Sequence, residues 1–194
     1  MLVRAAERFG LSVSCYRPSV ISGDSHTGYS NTADFENHLL RVLVIARQAV
    51  EHSSFSLGWI PVDVCARAIA TIAARTKPQA APAFYHLNGA GPRLDRVLAG
   101  LRRRGFAIAP IKRCAWRKMV LGLPADAMLE PYREMLSNIE FPEASLVNVT
   151  HSNDNARSML TGAKGVDFLS SNTDEYIDKV LTFLTGIGFF DPTE

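Results

Sequence analysis

The chain has 194 residues, 47% of them hydrophobic and 21% charged, with a formal net charge of +2, the profile of a soluble globular protein large enough for one sizeable core. A balance this close to neutral argues against bulk-charge binding to nucleic acid or an acidic membrane, and no apolar run reaches the roughly 18–20 residues that span a bilayer. The first residues lack the apolar core and cleavage site of a signal peptide, and the widely spaced Cys15, Cys65 and Cys114 form neither a metal pair nor an even disulfide set. A reducing cytoplasm is therefore the expected location.

Leu2, Val3, Ala6 and Phe9 recur at helical spacing, and Gly10 follows as a C-terminal cap. Leu11, Val13 and Cys15 then alternate with serines, which predicts a strand running to Arg17-Pro18. A polar, glycine-bearing loop covers Ser19 to Thr32. It leads into a predicted helix over 34–50 with Phe35, Leu39, Val42, Leu43 and Ala46 on one face. Phe55, Leu57 and Trp59 alternate as a short strand. Pro61-Val62-Asp63 opens a helix through Ala74, with Asp63 expected to cap its first turn.

Residues 83–88 predict another strand, followed by a turn at Gly89-Ala90-Gly91-Pro92. The next helix carries Leu94, Val97, Leu98 and Leu101 on its apolar face and stops at Gly105, and Phe106 to Ile111 reads as one more strand. This β-α order with short connections is that of an α/β fold. Beyond Cys114 the texture changes to helical segments over about 115–122, 125–138 and 173–186, the last capped by Asn172 or Thr173 with Tyr176, Val180, Phe183 and Leu184 inside. Two regions are expected, a partial α/β region over 1–114 and a mainly helical subdomain over 115–194.

Arg17, Pro18, Ser19 and Val20 stand where an α/β enzyme meets its cofactor, at the carboxyl end of a strand. Pro18 stiffens the backbone and offers no N–H, so this segment suits the flat face of a ring. Gly23-Asp24-Ser25-His26-Thr27-Gly28 sets two glycines around hydroxyl, carboxylate and imidazole groups that could recognise a polar ligand. Ser25 beside His26 is not a nucleophile pair, because sequence neighbours on a loop rarely face one another. Arg102-Arg103-Arg104, with Lys112, Arg113, Arg117 and Lys118 nearby, reads first as a helix end favoured by the dipole and second as a dock for an acidic partner. His38, His52, His86 and His151 lack metal-ligand spacing. The chain contains no Gly-x-Gly-x-x-Gly, no Walker loop and no Tyr-x-x-x-Lys. No catalytic and no metal-binding residue is assigned.

The run GLSVSCYRPSVISGDSHTGYSNTADF, residues 10–35, resembles the matching segment of thioester reductase domains. These are extended short-chain dehydrogenases at the ends of nonribosomal peptide synthetases, polyketide synthases and carboxylic acid reductases. The likeness continues through WIPVDVCARAIATIA (59–73), FYHLNGAG (84–91), RRGFAI (103–108) and YIDKVLTFLTGIGFF (176–190). It implies the C-terminal part of a Rossmann-like fold with a small helical substrate-side subdomain.

By that resemblance the cofactor is NADPH and the substrate is an acyl thioester on the phosphopantetheine arm of an acyl or peptidyl carrier protein, reduced to aldehyde or alcohol. Arg17, Pro18, Ser19 and Val20 would pass the nicotinamide. Gly23, Asp24, Ser25, Thr27, Gly28 and Asp34 would border the acyl channel, although Asp34 also suits a plain helix cap. The family's Tyr-x-x-x-Lys lies on the helix whose last turns correspond to residues 2–9, so this chain is expected to be inactive alone and to pair with an N-terminal reductase half. The alternative is a non-catalytic module that binds a carrier protein or acyl-pantetheine. A natural split half, a degraded gene and a mis-assigned start codon remain open as origins.

Overall fold

A computed structural model of the chain describes residues 2–51, 55–79, 81–89, 91–140, 152–166 and 172–191. The first helix, α1 (Leu2–Phe9), ends where Gly10 takes a left-handed φ of 63° and the Leu11 amide bonds back to the Ala6 carbonyl. Its expected apolar face is only partly used. Ala6 is fully buried, whereas Val3 and Phe9 are exposed because no described residues cover them.

Strand β1 (Ser14–Pro18) is followed after one residue by β2 (Val20–Ser22). Helix α2 (Phe35–Ala46) starts at Asp34, whose side chain accepts the Glu36 amide at 2.9 Å, and stops at Arg47, a left-handed C-cap. The helix predicted to reach residue 50 is therefore shorter, since Gln48–Val50 leaves it as strand β3. The expected strand at 55–59 also moves. Phe55 and Leu57 lie in extended loop, and the strand β4 is Trp59–Pro61, the segment that finds a partner in β2.

Helix α3 (Val62–Arg75) has no side-chain cap, contrary to the expectation for Asp63. The carboxylate is instead taken by Ser25 across the fold. Strand β5 (Ala83–Leu87) and helix α4 (Leu94–Arg103) follow the sequence closely, while β6 (Ala109–Ile111) covers only the end of its predicted range.

Beyond residue 114 come α5 (Trp116–Leu121), a 3-10 turn at Glu130–Tyr132 continuing into α6 (Arg133–Ser137), α7 (Asp154–Leu160) and α8 (Asp174–Gly186). The long helix expected over 125–138 is thus a 3-10 turn and one short helix, and α7 was not anticipated. Thr173 is the cap of α8, accepting the Tyr176 amide at 3.1 Å.

Among the described residues the strands pair as three two-stranded parallel sheets: β1 with β5, β2 with β4, and β3 with β6. Parallel pairing requires crossovers, which α2, α3 and α4 supply. The registers set Arg17 opposite His86 and Pro18 opposite Leu87, then Val20 opposite Trp59. The backbone therefore changes partner at Ser19.

One apolar cluster surrounds α2 and joins Leu39, Leu40, Leu43, Trp59, Leu94, Leu101, Trp116, Val180 and Leu184. A second gathers Ile60, Val64, Ala68, Ile72, Leu87 and Leu160 between α3, β5 and α7. Because α2 is covered on every side, even its Arg41 is fully buried. Arg41 pairs with Asp126 at 2.7 Å and donates to the Phe189 carbonyl and to that of Asp191 (2.7 Å), so one guanidinium ties α2 to the segment after α8.

Candidate functional site

At the carboxyl ends of β1 and β5 the two strands border a cleft of about 230 Å³ lined by Arg17, Pro18, Ser19, His86 and Asn88. It opens because Ser19 is held in two directions. Its amide continues the β1–β5 ladder to the Leu87 carbonyl at 3.0 Å, while its hydroxyl donates to the Gly58 carbonyl at 2.7 Å on the β4 side. Strands that diverge at such a switch leave a crevice beyond their carboxyl ends, the usual ligand position in an open α/β sheet.

The Arg17 guanidinium lies 4.6 Å from the centre of the Phe84 ring on the neighbouring strand. On the β5 side, the Asn88 carbonyl accepts Asn153 Nδ2 at 2.7 Å, which anchors the start of α7 at the rim. Three of the four residues expected beside a cofactor ring thus converge. Val20 lies outside the lining, in β2 against Gly58.

The loop expected at the substrate channel is fastened along most of its length. The Tyr176 hydroxyl donates to the Gly23 carbonyl at 2.7 Å, so the 2.6 Å contact with Ser22 must have the serine as donor. Burial pushes the Tyr176 phenol well above its ordinary value. Asp24 accepts from the amides of His26 and Thr27 and from the Thr27 hydroxyl at 2.8–3.0 Å, and these bonds, led by the Thr27 amide, hold its carboxyl below the usual range.

Ser25 gives its amide and hydroxyl to Asp63 at 2.9 and 2.8 Å, and its carbonyl accepts Lys179 Nζ at 3.2 Å. Gly28 has a φ of 75°, and a Cβ there would overlap the Lys179 backbone, so only glycine admits this approach of loop to helix. His26 is 77% exposed with its ring 4.0 Å from Asp63, and the Ser25 hydroxyl bonds the carboxylate rather than the imidazole. Asp34 caps α2, and burial raises its carboxyl pKa.

Two residues later Glu36 is 6% exposed and turns inward. Its Oε1 accepts the Gly58 amide at 3.0 Å, and the Trp59 indole donates to the same carboxylate. Burial, reinforced by the Asp34 charge, raises its pKa from 4.5 to about 7. Sequence reasoning missed Glu36, Asp63, His86 and Asn88. The one available signal was that RPS and HLN both end strands immediately before loops.

The basic cluster is largely committed within the fold. Arg103 and Arg104 share Asp178 at 3.1 and 2.9 Å, Arg102 donates to the Ile108 carbonyl, and Arg117 pairs with Glu134 at 2.9 Å. Among the described residues no helix is long and apolar enough to cross a membrane, and no group of three metal-ligating side chains occurs.

Residues 1–69 match the NAD_binding_4 family model, described as male sterility protein. An isonitrile lipopeptide synthase of Streptomyces coeruleorubidus is 32% identical over 125 residues, covering 63% of this chain and 8% of that protein. The terminal R domain of the myxalamid PKS-NRPS pathway superposes on all of the chain with a TM-score of 0.77 and 25% identity.

Together these matches make the chain similar, in sequence and in fold, to thioester reductase domains.

Two more solved structures have the same fold. The reductase (R) domain of a nonribosomal peptide synthetase from Mycobacterium tuberculosis matches 96% of the chain at a TM-score of 0.73 and 21% identity, and an archaeal thiolation-reductase di-domain matches 98% at 0.73 and 14%. The fold is the Rossmann-like one of extended short-chain dehydrogenases. The chain spans 48%, 49% and 39% of the three solved chains, less than half of each. A nicotinamide cofactor is implied for such a reductase. At about 230 Å³ the strand-end cleft falls below the roughly 300–1,000 Å³ of a site enclosing a drug-sized ligand, so it has room for part of a dinucleotide and not for the whole.

Proposed function

We propose that this reductase chain supplies the nicotinamide-side and acyl-side walls of an NADPH-dependent site. The site would reduce an acyl thioester carried on the phosphopantetheine of an acyl or peptidyl carrier protein to aldehyde or alcohol. The observation that carries this reading is the cleft at Ser19, where Arg17, Pro18 and Ser19 meet His86 and Asn88 beyond two parallel strands. When bound, the cofactor supplies the hydride.

The chain's own residues shape and hold the site. Pro18 presents a ring face without a competing N–H. Ser19 spends both of its donors on Leu87 and Gly58, so its backbone stays fixed. The loop from Gly23 to Gly28, fastened to α8 by Tyr176 and Lys179, forms a stationary rim for the acyl side.

We further propose that the 194-residue chain is catalytically silent by itself, since it contains no Tyr-x-x-x-Lys to polarise the carbonyl and give the proton. Reduced nicotinamide mononucleotide titrated into the purified chain should shift the amide resonances of Arg17, Ser19, His86 and Asn88, and NADPH with an acyl-carrier thioester should give no turnover. Absence of those shifts would overturn the site, and reduction of the thioester by the chain alone would overturn the silence.

A further inference from the structure

We infer that Glu36 is a positioning residue for the strand-end cleft, acting through the Gly58 peptide, which it holds by the N–H while Ser19 holds the same residue by the C=O. The inference rests on the proposed reading of that cleft. Three bonds form a continuous path: Glu36 Oε1 to Gly58 N at 3.0 Å, Gly58 O to Ser19 Oγ at 2.7 Å, and Ser19 N to Leu87 O at 3.0 Å. The path runs from the first turn of α2 to the two strand ends that line the cleft. Its centre is tight, since a Cβ on Gly58 would lie 3.3 Å from the Val20 side chain. A side chain at Gly58 would therefore press on Val20, which would have to give by a few tenths of an ångström.

Glu36 is a poor choice for stability alone. It is 6% exposed, and its Oε2 has no hydrogen-bond partner. An unsatisfied buried acceptor costs about 1–3 kcal/mol. An acceptor kept under those conditions fits a task of aiming N–H groups, one oxygen of it being bonded to the Gly58 amide at 3.0 Å. Asp34 is the charged group whose field bears on Glu36. The Gly58–Trp59 side contributes N–H donors. Trp59 is buried at the junction, edge-on to Tyr176 with ring centres 6.1 Å apart, so the clamp on the substrate-side loop meets the path there.

The test uses the full chain and amide NMR between pH 5 and 9. In the wild type the Gly58 amide and Trp59 indole, and beyond them the amides of Arg17 and Ser19, should titrate with one midpoint near pH 7, following Glu36. E36Q should abolish that titration throughout. S19A should preserve it at Gly58 and Trp59 while removing it from positions 17 and 19. D34N should move the midpoint down without removing it. Titration that persists at Arg17 in S19A, or at Gly58 in E36Q, overturns the inference.

Affinity for reduced nicotinamide mononucleotide provides the second measurement. E36A and S19A should each weaken it by about three- to tenfold, the size of one lost hydrogen bond. The double variant should be no weaker than the worse single one, and E36Q should recover near wild-type affinity without pH dependence. Losses that multiply in the double variant overturn the inference. A wild-type chain that does not bind the probe overturns the function reading instead, and the amide titration then decides the role of Glu36 by itself. Because S19A and E36Q leave the α2 packing intact, the outcome does not depend on whether E36A folds.

Discussion

Replacing Glu36 by glutamine should make the chain more stable above neutral pH and leave it unchanged in acid. The folded-state carboxyl is raised from 4.5 to about 7, chiefly by burial. The folded protein therefore holds a proton that the unfolded chain has released across that window. Stability of the wild type must fall as pH rises from about 4.5 to 7 and then level off. At 1.4 kcal/mol per pKa unit the loss is about 3 kcal/mol.

Glutamine stands in for the protonated carboxyl and still offers an oxygen to the Gly58 amide. E36Q should match the wild type near pH 4.5 and exceed it by up to about 3 kcal/mol at pH 8. With urea m-values of about 1–3 kcal/mol/M, that is a midpoint shift on the order of 1–3 M, readable by fluorescence because Trp59 and Trp116 are both buried. The raised carboxyl of Asp34 acts in the same direction and is present in both proteins, so the comparison reads Glu36 together with its coupling to Asp34. A wild-type-to-variant difference that stays constant from pH 4.5 to 8 would refute the reasoning.

Removing one partner of the buried Arg41–Asp126 pair, by R41A or D126A, should destabilise by about 3–5 kcal/mol in urea unfolding, whereas the apolar double replacement R41M/D126L should recover most of it. Milder losses in both single variants, of the size seen for exposed pairs, would show that the pair is solvated. Y176F should lower stability by about 1–3 kcal/mol, because the Gly23 carbonyl and Ser22 hydroxyl lose their partner. Hydrogen exchange at residues 23–28 should accelerate relative to α4, and unchanged protection there would show that the loop does not depend on α8.

Much of the architecture was legible because it follows from local pattern. The apolar faces of α4 and α8, the β5 strand, the Gly10 stop and the Asp34 and Thr173 caps all appear where period and capping chemistry put them. The errors fall where partners outrank propensity. Gln48–Val50 is strand rather than helix because β6 offers it a ladder. The strand at Trp59–Pro61 is set by its pairing with β2 rather than by the alternation at Phe55 and Leu57. Asp63 looked like a cap, yet α3 starts one residue before it with Pro61 at the cap position, and its carboxylate accepts both donors of Ser25.

By itself the sequence determined the α/β order, the placement of Arg17, Pro18 and Ser19 at a strand end and the likeness to thioester reductase domains, because periodicity, proline and glycine act over a few residues. Only the tertiary structure decided which groups face one another. It drew His86 and Asn88 to the cleft by pairing β1 with β5 and turned Glu36 inward by burying α2 on all sides. It also tied the loop at Gly23–Gly28 to α8 through residues some 150 positions away. Those contacts are long-range hydrogen bonds in low dielectric, and a carboxylate's partner or a histidine's neighbour across a parallel sheet leaves no trace in the spacing of the residues around it.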